Sequence, residues 1–206
     1  MIAIIDYGMG NLKSVEKGFK KVGADARVTS DSQVIDDARA VVLPGVGAFR
    51  ECMKNLSNRS LIEVIVRSLE KGKPYLGICL GLQVLFSEAE EFGKCRGLDI
   101  FQGKVVKFTF DEKDKKIPHM GWNTITIVNR PPILSGIPDN AFVYFVHSFY
   151  VVPGDQTVIA ATTDYGISFT SMVWKDNVFA TQFHPEKSQE LGLHILKGFA
   201  EFVQKA

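Results

Sequence analysis

The chain has 206 residues, enough to bury a substantial core, and its 46% hydrophobic and 23% charged residues are ordinary for a soluble globular protein. A formal net charge of +1 gives no electrostatic reason to expect nucleic acid or a membrane surface, and no apolar stretch approaches the length of a membrane span. Three widely spaced cysteines without a C-x-x-C pair argue against a disulfide framework and a zinc site, so we expect a reduced, cytoplasmic protein without a leader peptide.

The first half of the chain alternates predicted strands and helices. Strands are expected at "IAIID", "AVVLPG" and "PYLGIC". Each of them is followed by apolar residues that recur at helical spacing. Helices are predicted to begin near Leu12, Ala48 and Leu61, and another is predicted over "LGLQVLFSEAEE" from Leu80. This alternation indicates parallel strands with covering helices.

The second half is mostly strand, and it follows a charged run at 111–116 that is expected to be an exposed turn. A final helix is predicted from Ser188, and the strands are expected at "KVVKFTF", "NTITIV", "AFVYFVHSFYVV", "TVIAAT", "ISFTSMVW" and "VFATQF". We therefore predict one α/β domain over 1–206. It would be an open, mostly parallel twisted sheet flanked by helices, with an antiparallel strand extension in the C-terminal half.

Cys79 lies between Gly77 and Gly81 where a predicted strand meets a helix. G-x-C-x-G has the form of a nucleophile elbow, in which a strained turn presents the nucleophile at the carboxyl end of a strand. The N-terminus of the following helix would favour the thiolate, and the N–H of Leu80 could stabilise an oxyanion. The alternative is a buried core thiol, which is the expectation for Cys52 and Cys95.

A cysteine nucleophile needs a histidine, and that histidine needs an orienting acid. His184, in "QFHPEKS", follows the strand "VFATQF", and Pro185 disfavours a helical conformation at His184. In an extended segment His184 and Glu186 would project to the same side, so the carboxylate could accept the second imidazole N–H. Taken alone, either would be an ordinary loop residue, but together with Cys79 they indicate a triad.

The other candidate motifs and histidines are weaker evidence of a functional site. In "GMGN", Lys13 occupies the third glycine position of a dinucleotide fingerprint, which excludes that motif. "PGVG" at Pro44 to Gly47 could supply a second oxyanion donor or be an ordinary turn. His147 is expected to be a satisfied core residue, and His194 a structural or surface residue.

In this order, "PGVG", "GICLGLQ" and "QFHPEKS" resemble the class I, triad-type glutamine amidotransferases over essentially the whole chain. "DYGMGNLKSV" and "PHMGWN" narrow the resemblance to the glutaminase subunits of imidazole glycerol phosphate synthases, which serve histidine biosynthesis. The resemblance implies that Cys79 attacks the glutamine side-chain amide, that His184 moves protons and that Glu186 orients His184.

The resemblance also implies the remaining site residues. Leu80 and the Val46–Gly47 backbone would form the oxyanion hole. Gln83 and Glu91 would hold glutamine. The strand "HSF" would also contact it, through His147, Ser148 and Phe149. The family often has tyrosine after that serine, so Phe149 is a departure that removes any hydroxyl contact there. No metal or organic cofactor is implied.

The implied partner is a (β/α)₈-barrel cyclase subunit, which would receive the ammonia within a heterodimer. It would make imidazole glycerol phosphate and an aminoimidazole carboxamide ribotide. Exposed Trp122 and Met120 would anchor the interface, because large apolar side chains are typical interface anchors. The interface is expected to comprise Asn11, Pro118, His119, Met120, Gly121, Trp122, Asn123 and Lys187.

Three alternatives stay open. The chain could be the glutaminase of another synthase, such as one serving pyridoxal phosphate synthesis, although "PHMGWN" argues against it. It could be a free-standing cysteine hydrolase of the same fold, which would be active without a partner. It could also be a non-catalytic binding module, against which the intact Cys79, His184 and Glu186 argue.

Overall fold

The computed structural model describes residues 1–110 and 115–206. Its central feature is a set of five strands, β1 (Ile2–Ile5), β2 (Ala26–Thr29), β3 (Ala40–Gly45), β4 (Tyr75–Cys79) and β13 (Val178–Thr181). They lie in the order β2-β1-β3-β4-β13, and every neighbouring pair is parallel. The four strands other than β2 are buried throughout, as parallel strands covered on both faces are.

Antiparallel pairing extends this sheet on the side of β13. The extension comprises β5 (Phe86–Ala89), β6 (Cys95–Arg96), β7 (Phe101–Lys107), β8 (His119–Ile127), β9 (Ala141–His147), β10 (Phe149–Pro153), β11 (Ile159–Asp164) and β12 (Ser168–Lys175). From β13 the order continues as β12-β10-β7-β5-β6, while β11 joins β12 to β8 and β8 pairs with β9. Among the described residues of this part, only β5 and β7 pair in parallel. The predicted fold class is confirmed.

Helices cover both faces of the parallel strands. They are α1 (Leu12–Lys21), α2 (Ser32–Asp37), α3 (Phe49–Asn58), α4 (Leu61–Glu70), α5 (Leu80–Gln83) and α6 (Gln189–Lys205). Successive strand residues face opposite sides, so Ile4 packs into one apolar cluster and Ile5 into the other. The first cluster contains α1 and α6, whose Phe19 and Phe199 rings lie 6.2 Å apart, and the second contains α3 and α4.

The helix predicted over 80–91 is wrong beyond its first turn. Helix α5 ends at Gln83, and the chain then forms β5, which pairs with β7 and β6. Residues 80–86 are buried without interruption rather than on one stripe, and a short, mostly apolar run of this kind does not distinguish a helix from a strand by its period. Backbone hydrogen bonds from Leu98 and Ile100 to the carbonyls of Val84 and Leu85 complete this strand-like course.

The long strand predicted at 141–152 is two strands, because Ser148 separates β9 from β10. The two pair with different neighbours, β9 with β8 and β10 with β7 and β12. Among the strands and α-helices, the short elements β2, α2 and β6 were also not predicted. Strand β2 is half-exposed and carries Arg27, so it lacks the apolar run that marks the central strands.

Of the charged run at 111–116, residues 111–114 lie outside the described residues, whereas Lys115 and Lys116 are exposed. Across residues 1–110 and 115–206, every helix is too short or too polar to cross a membrane.

Candidate active site

Cys79 occupies a strained backbone position at the end of β4. Its φ is +55° and its ψ is −103°, values that a residue with a Cβ rarely adopts. A Cβ at Gly77 would collide with the Gly81 carbonyl, and one at Gly81 would collide with the Leu43 carbonyl, so both positions require glycine. The elbow geometry is therefore present. Because α5 is only one turn long, the expected stabilisation of the thiolate by a long helix dipole does not apply.

His184 and Glu186 form a buried pair beyond the end of β13. His184 Nδ1 donates to Glu186 Oε1 at 2.8 Å, and the two side chains are 2% and 1% exposed. The segment is not extended as expected, since Pro185–Lys187 forms a 3₁₀ turn. That turn still brings the two side chains together, and the Ser188 hydroxyl holds it by donating to the His184 carbonyl at 2.7 Å.

The pKa of His184 is raised to about 10. Burial lowers it, but the negative charges of Cys79 and Glu186 and the hydrogen bond to Glu186 together outweigh burial. His184 Nε2 has no hydrogen-bond partner within the protein, so we attribute the effect of Cys79 to its charge rather than to a formed hydrogen bond. The raised pKa favours an imidazolium at His184, near Cys79.

A cavity of about 450 Å³ opens at Cys79 and collects most of the predicted site residues. Gly47, at its rim, has a φ of +100°, and Val46 is 36% exposed. Besides Cys79, the cavity is lined by the predicted oxyanion, substrate and interface residues Val46, Gly47, Leu80, Gln83, Glu91, Pro118, His147, Ser148, Phe149 and Lys187, and by Val146.

Two predicted substrate residues also make hydrogen bonds within the protein. Glu91 Oε2 accepts from the backbone N–H of Phe49 at 2.7 Å, at the first residue of α3. Gln83 Nε2 donates to the Phe149 carbonyl at 3.0 Å and to Gln182 Oε1 at 3.1 Å. Both side chains are thus held in place, which leaves Gln83 Oε1 available to a ligand.

The predicted interface residues divide between exposed and buried positions. Pro118, Met120 and Trp122 are exposed, as expected of docking residues. Asn11, Gly121, Asn123 and Lys187 are half-buried, and the Lys187 ammonium lies over the Tyr144 ring, 5.6 Å from its centroid. His119, also predicted at the interface, is on the inward face of β8 and is only 3% exposed.

His119 and His147 form a second buried pair, directly opposite each other on β8 and β9. His119 Nδ1 and His147 Nε2 are 2.9 Å apart, and His147 Nδ1 lies 2.8 Å from the Phe149 carbonyl. Burial lowers the pKa of His119 to about 4 and that of His147 to about 3, so both rings are neutral near pH 7. His147 is a satisfied buried residue, as predicted, and it also lines the cavity.

This pair predicts a loss of stability in mild acid. Below the usual histidine pKa of about 6.5 the unfolded chain binds protons that the folded rings do not, so the free energy of unfolding falls with pH. At pH 5 the expected loss is about 2 kcal/mol for each histidine. His184 offsets part of this loss, because its raised pKa keeps it protonated in the folded state while the unfolded histidine takes up most of its proton only between pH 7 and pH 5. Urea unfolding at pH 7 and pH 5 measures the change.

The matched control for this prediction is the His119→Asn/His147→Asn double variant. Removing both rings should leave a smaller difference between the two pH values, whatever the variant's absolute stability. An equal pH dependence in wild type and double variant would show that other groups cause the acid loss.

The sequence interpretation missed Gln182. This side chain is fully buried, and its Nε2 donates to Cys79 Sγ at 3.5 Å. A polar residue inside the apolar strand "VFATQF", two positions before His184, was the available signal, since a buried amide needs partners.

Comparisons with known proteins find related sequences over almost the whole chain. The family model for class-I glutamine amidotransferases matches residues 3–202. The chain is 58% identical to "Imidazole glycerol phosphate synthase subunit HisH" of Syntrophotalea carbinolica, over 98% of this chain and 100% of that protein. It is 53% identical to the protein of the same name from Geobacter sulfurreducens, over 97% of this chain and 98% of that protein.

Solved structures support the fold at low sequence identity. A crystal structure of a glutamine amidotransferase superposes with a TM-score of 0.76 at 17% identity, covering 99% of this chain and 100% of that one. The structure of PurLQS from Thermotoga maritima gives a TM-score of 0.71 at 17% identity, covering 99% and 97%. At these identities the likeness concerns the fold alone.

Proposed function

This chain belongs to the class-I glutamine amidotransferase family, and from that premise we propose that it is the glutaminase subunit of an imidazole glycerol phosphate synthase. It hydrolyses glutamine to glutamate and ammonia and delivers the ammonia to a partner subunit, in histidine biosynthesis. Relatives at 58% and 53% identity carry the name of that synthase's subunit HisH. The observation that carries the proposal is the single cavity shared by Cys79, the Val46–Gly47 loop and the strand residues His147 to Phe149.

In the first half of the reaction the Cys79 thiolate attacks the side-chain amide carbon of glutamine. A carbon–sulfur bond forms, and the carbonyl electrons move onto oxygen, where N–H groups of Leu80 and the Val46–Gly47 segment stabilise the negative charge. As the oxyanion collapses, the carbon–nitrogen bond breaks. His184 gives its proton to the leaving nitrogen, which departs as ammonia and leaves a γ-glutamyl thioester on Cys79.

In the second half, His184 accepts a proton from water as the water oxygen attacks the thioester carbonyl. The carbon–sulfur bond breaks, glutamate leaves, and the thiolate–imidazolium pair is restored. Glu186 accepts from Nδ1 throughout, which fixes the tautomer and stabilises the imidazolium. One water is consumed for each ammonia released, so no cofactor or metal is required.

The partner we propose is a (β/α)₈-barrel cyclase that forms a heterodimer with this chain. Lys187 lines the cavity, and the exposed Met120 lies opposite the cavity residue Val146 on the paired strands β8 and β9. The exposed Trp122 packs against Tyr144, whose ring lies under the Lys187 ammonium, so these side chains suit a docking surface there. We also propose that residues 1–206 act as one domain and that the complex works in the cytoplasm. The barrel would use the ammonia to make imidazole glycerol phosphate and an aminoimidazole carboxamide ribotide.

Nitrogen tracing tests the proposal. The chain and a purified cyclase are incubated with glutamine labelled with ¹⁵N in its side-chain amide, the barrel's ribotide substrate and an excess of unlabelled ammonium. We expect ¹⁵N in the imidazole product at a level well above that of the bulk ammonium, because the ammonia passes between subunits. Label released mainly into solution without a partner would instead favour a free-standing hydrolase. If the ¹⁵N label reached only the product of a different synthase, the result would favour the alternative that this chain is the glutaminase of that synthase.

A further inference from the structure

We propose that Gln182 is a positioning residue for the nucleophile, directing an amide N–H at Cys79 Sγ. Gln182 has no assigned part in the reaction described above, and this inference rests on the proposed function because it takes Cys79 as the nucleophile. Its side chain is fully buried between the nucleophile and Gln83, with Nε2 at 3.5 Å from Sγ and Oε1 at 3.1 Å from Gln83 Nε2. A distance of 3.5 Å is suitable for an N–H donor to sulfur.

The orientation of this amide follows from one backbone group. The carbonyl of Phe149 can only accept hydrogen bonds, so the end of Gln83 that lies 3.0 Å from it must be the NH₂ group. The same NH₂ group has a second hydrogen, which points to Gln182, so the atom of Gln182 that receives it must be the oxygen. The NH₂ end of Gln182 then faces Cys79.

The Phe149 carbonyl also accepts a hydrogen bond from the His119–His147 pair. His147 Nδ1 must carry the proton that the Phe149 carbonyl accepts, so Nε2 of His147 accepts from Nδ1–H of His119. His119 Nε2 is then free to accept from Asn123 Nδ2 at 3.2 Å. Burial keeps both rings neutral, so each ring has one donor and one acceptor, and both are assigned. The Phe149 carbonyl therefore accepts from both His147 and Gln83, and Gln83 also donates to Gln182, whose N–H is directed at Cys79.

An N–H directed at Sγ has a specific chemical effect. A hydrogen bond to a charged acceptor is stronger than one to a neutral acceptor, so this donor favours the thiolate over the thiol. It also fixes the position of Sγ while the backbone holds Cys79 at a φ of +55°. Within the described residues, the one other hydrogen bond of Sγ is to the Val146 carbonyl, at 3.9 Å, and a carbonyl oxygen is an acceptor that cannot stabilise a thiolate.

The test compares Gln182→Met and Gln182→Glu with Gln102→Met. Methionine keeps the length of the side chain but has no donor, and glutamate replaces the donor with a negative charge. Gln102 is an exposed glutamine that donates to Asp99, so its replacement controls for losing an amide hydrogen bond elsewhere. For each variant we would measure iodoacetamide labelling of Cys79 by peptide mapping, and kcat and KM of the partnered enzyme.

For Gln182→Met we expect labelling of Cys79 at pH 7 to slow by about tenfold and its pH profile to move to higher pH. The kcat should fall by a similar factor, while KM changes little. Gln182→Glu should be slower still, and Gln102→Met should match wild type. Labelling at the wild-type rate in folded Gln182 variants would overturn the inference, since a merely structural amide would affect stability and not thiolate reactivity.

A second measurement does not depend on those variants folding. The side-chain amide protons of Gln182 are followed by NMR in wild type and in Cys79→Ala. We expect one Nε2 proton to shift upfield when the sulfur is removed, and an unchanged signal would contradict the hydrogen bond. Failure of glutamine hydrolysis in the partnered wild type would count against the proposed function, whereas an active wild type with unaffected Gln182 variants would count against this inference alone.

Discussion

Replacing Cys79 with alanine should abolish glutamine hydrolysis by the partnered enzyme, with a loss of about 10⁴-fold or more in kcat. The reason is that no other group can form the thioester, and the oxyanion donors and the substrate contacts cannot replace a nucleophile. Alanine adopts the backbone of Cys79 with no more strain than cysteine, so folding and partner binding should be retained. Glutamate release and the melting temperature measure the two parts of this expectation.

The controls for this variant are the partner's own reaction and another cysteine. With free ammonium supplied, the Cys79→Ala complex should still form the imidazole product, because we propose that this chemistry takes place in the partner subunit. Cys95→Ala should keep wild-type glutaminase activity, since Cys95 lies in β6 and does not line the cavity. Wild-type turnover by Cys79→Ala would eliminate the assigned nucleophile.

The isolated chain should show negligible glutaminase activity, rising by orders of magnitude when the cyclase and its ligand are added. The structural reason is the loop at Pro44 to Gly47, where Gly47 has a φ of +100° and Val46 is exposed at the cavity rim. A glycine-rich peptide can rotate at little cost, so docking of a partner can turn an N–H towards the oxyanion position. One such donor is worth about 10²–10³ in rate.

Gly47→Ala tests the loop directly. Alanine at this φ is strained, and its Cβ would lie 2.7 Å from Met9 Cε, so activation should fall by about 10²-fold while partner affinity changes little. Gly72→Ala is the matched control, because Gly72 also has a positive φ, of +74°, but nothing lies within 4 Å of an added Cβ. Full turnover by the purified chain alone would overturn this account and favour a free-standing hydrolase.

Trp122→Ala should instead lower the affinity for the partner while changing activation of the assembled complex little.

The parts of the fold that could be predicted from sequence are those with a clear period or an unbroken apolar run. The central strands β1, β3 and β4 are buried on both faces, so their sequences have no polar interruption. Helices α1, α3, α4 and α6 each pack one stripe against the sheet, which gives a helical period. Strand β5 was predicted as helix because it follows a short, mostly apolar run that has no clear period, so that the choice depended on pairing with the distant β7.

Within the candidate site, sequence reasoning found groups whose chemistry is unusual for their position. Cys79 between two glycines and His184 beside a proline are of this kind, and the hydrogen bond between His184 and Glu186 is present. Gln182 and His119 could not be placed in the same way, since their roles come from contacts between strands far apart in the chain. Whether His119 faces inward depends on the register of β8 against β9, which no local pattern specifies.

Mapping the acyl group tests the central claim most directly. The partnered enzyme is mixed with ¹⁴C-labelled glutamine, quenched in acid within its first turnovers and digested, and the radioactive peptide is identified. We predict a γ-glutamyl thioester on the peptide that contains Cys79, and no label on the peptides that contain Cys52 or Cys95. Label on another residue, or sustained glutamate release with a rapid-quench time course that never shows a labelled Cys79 peptide, would contradict the account.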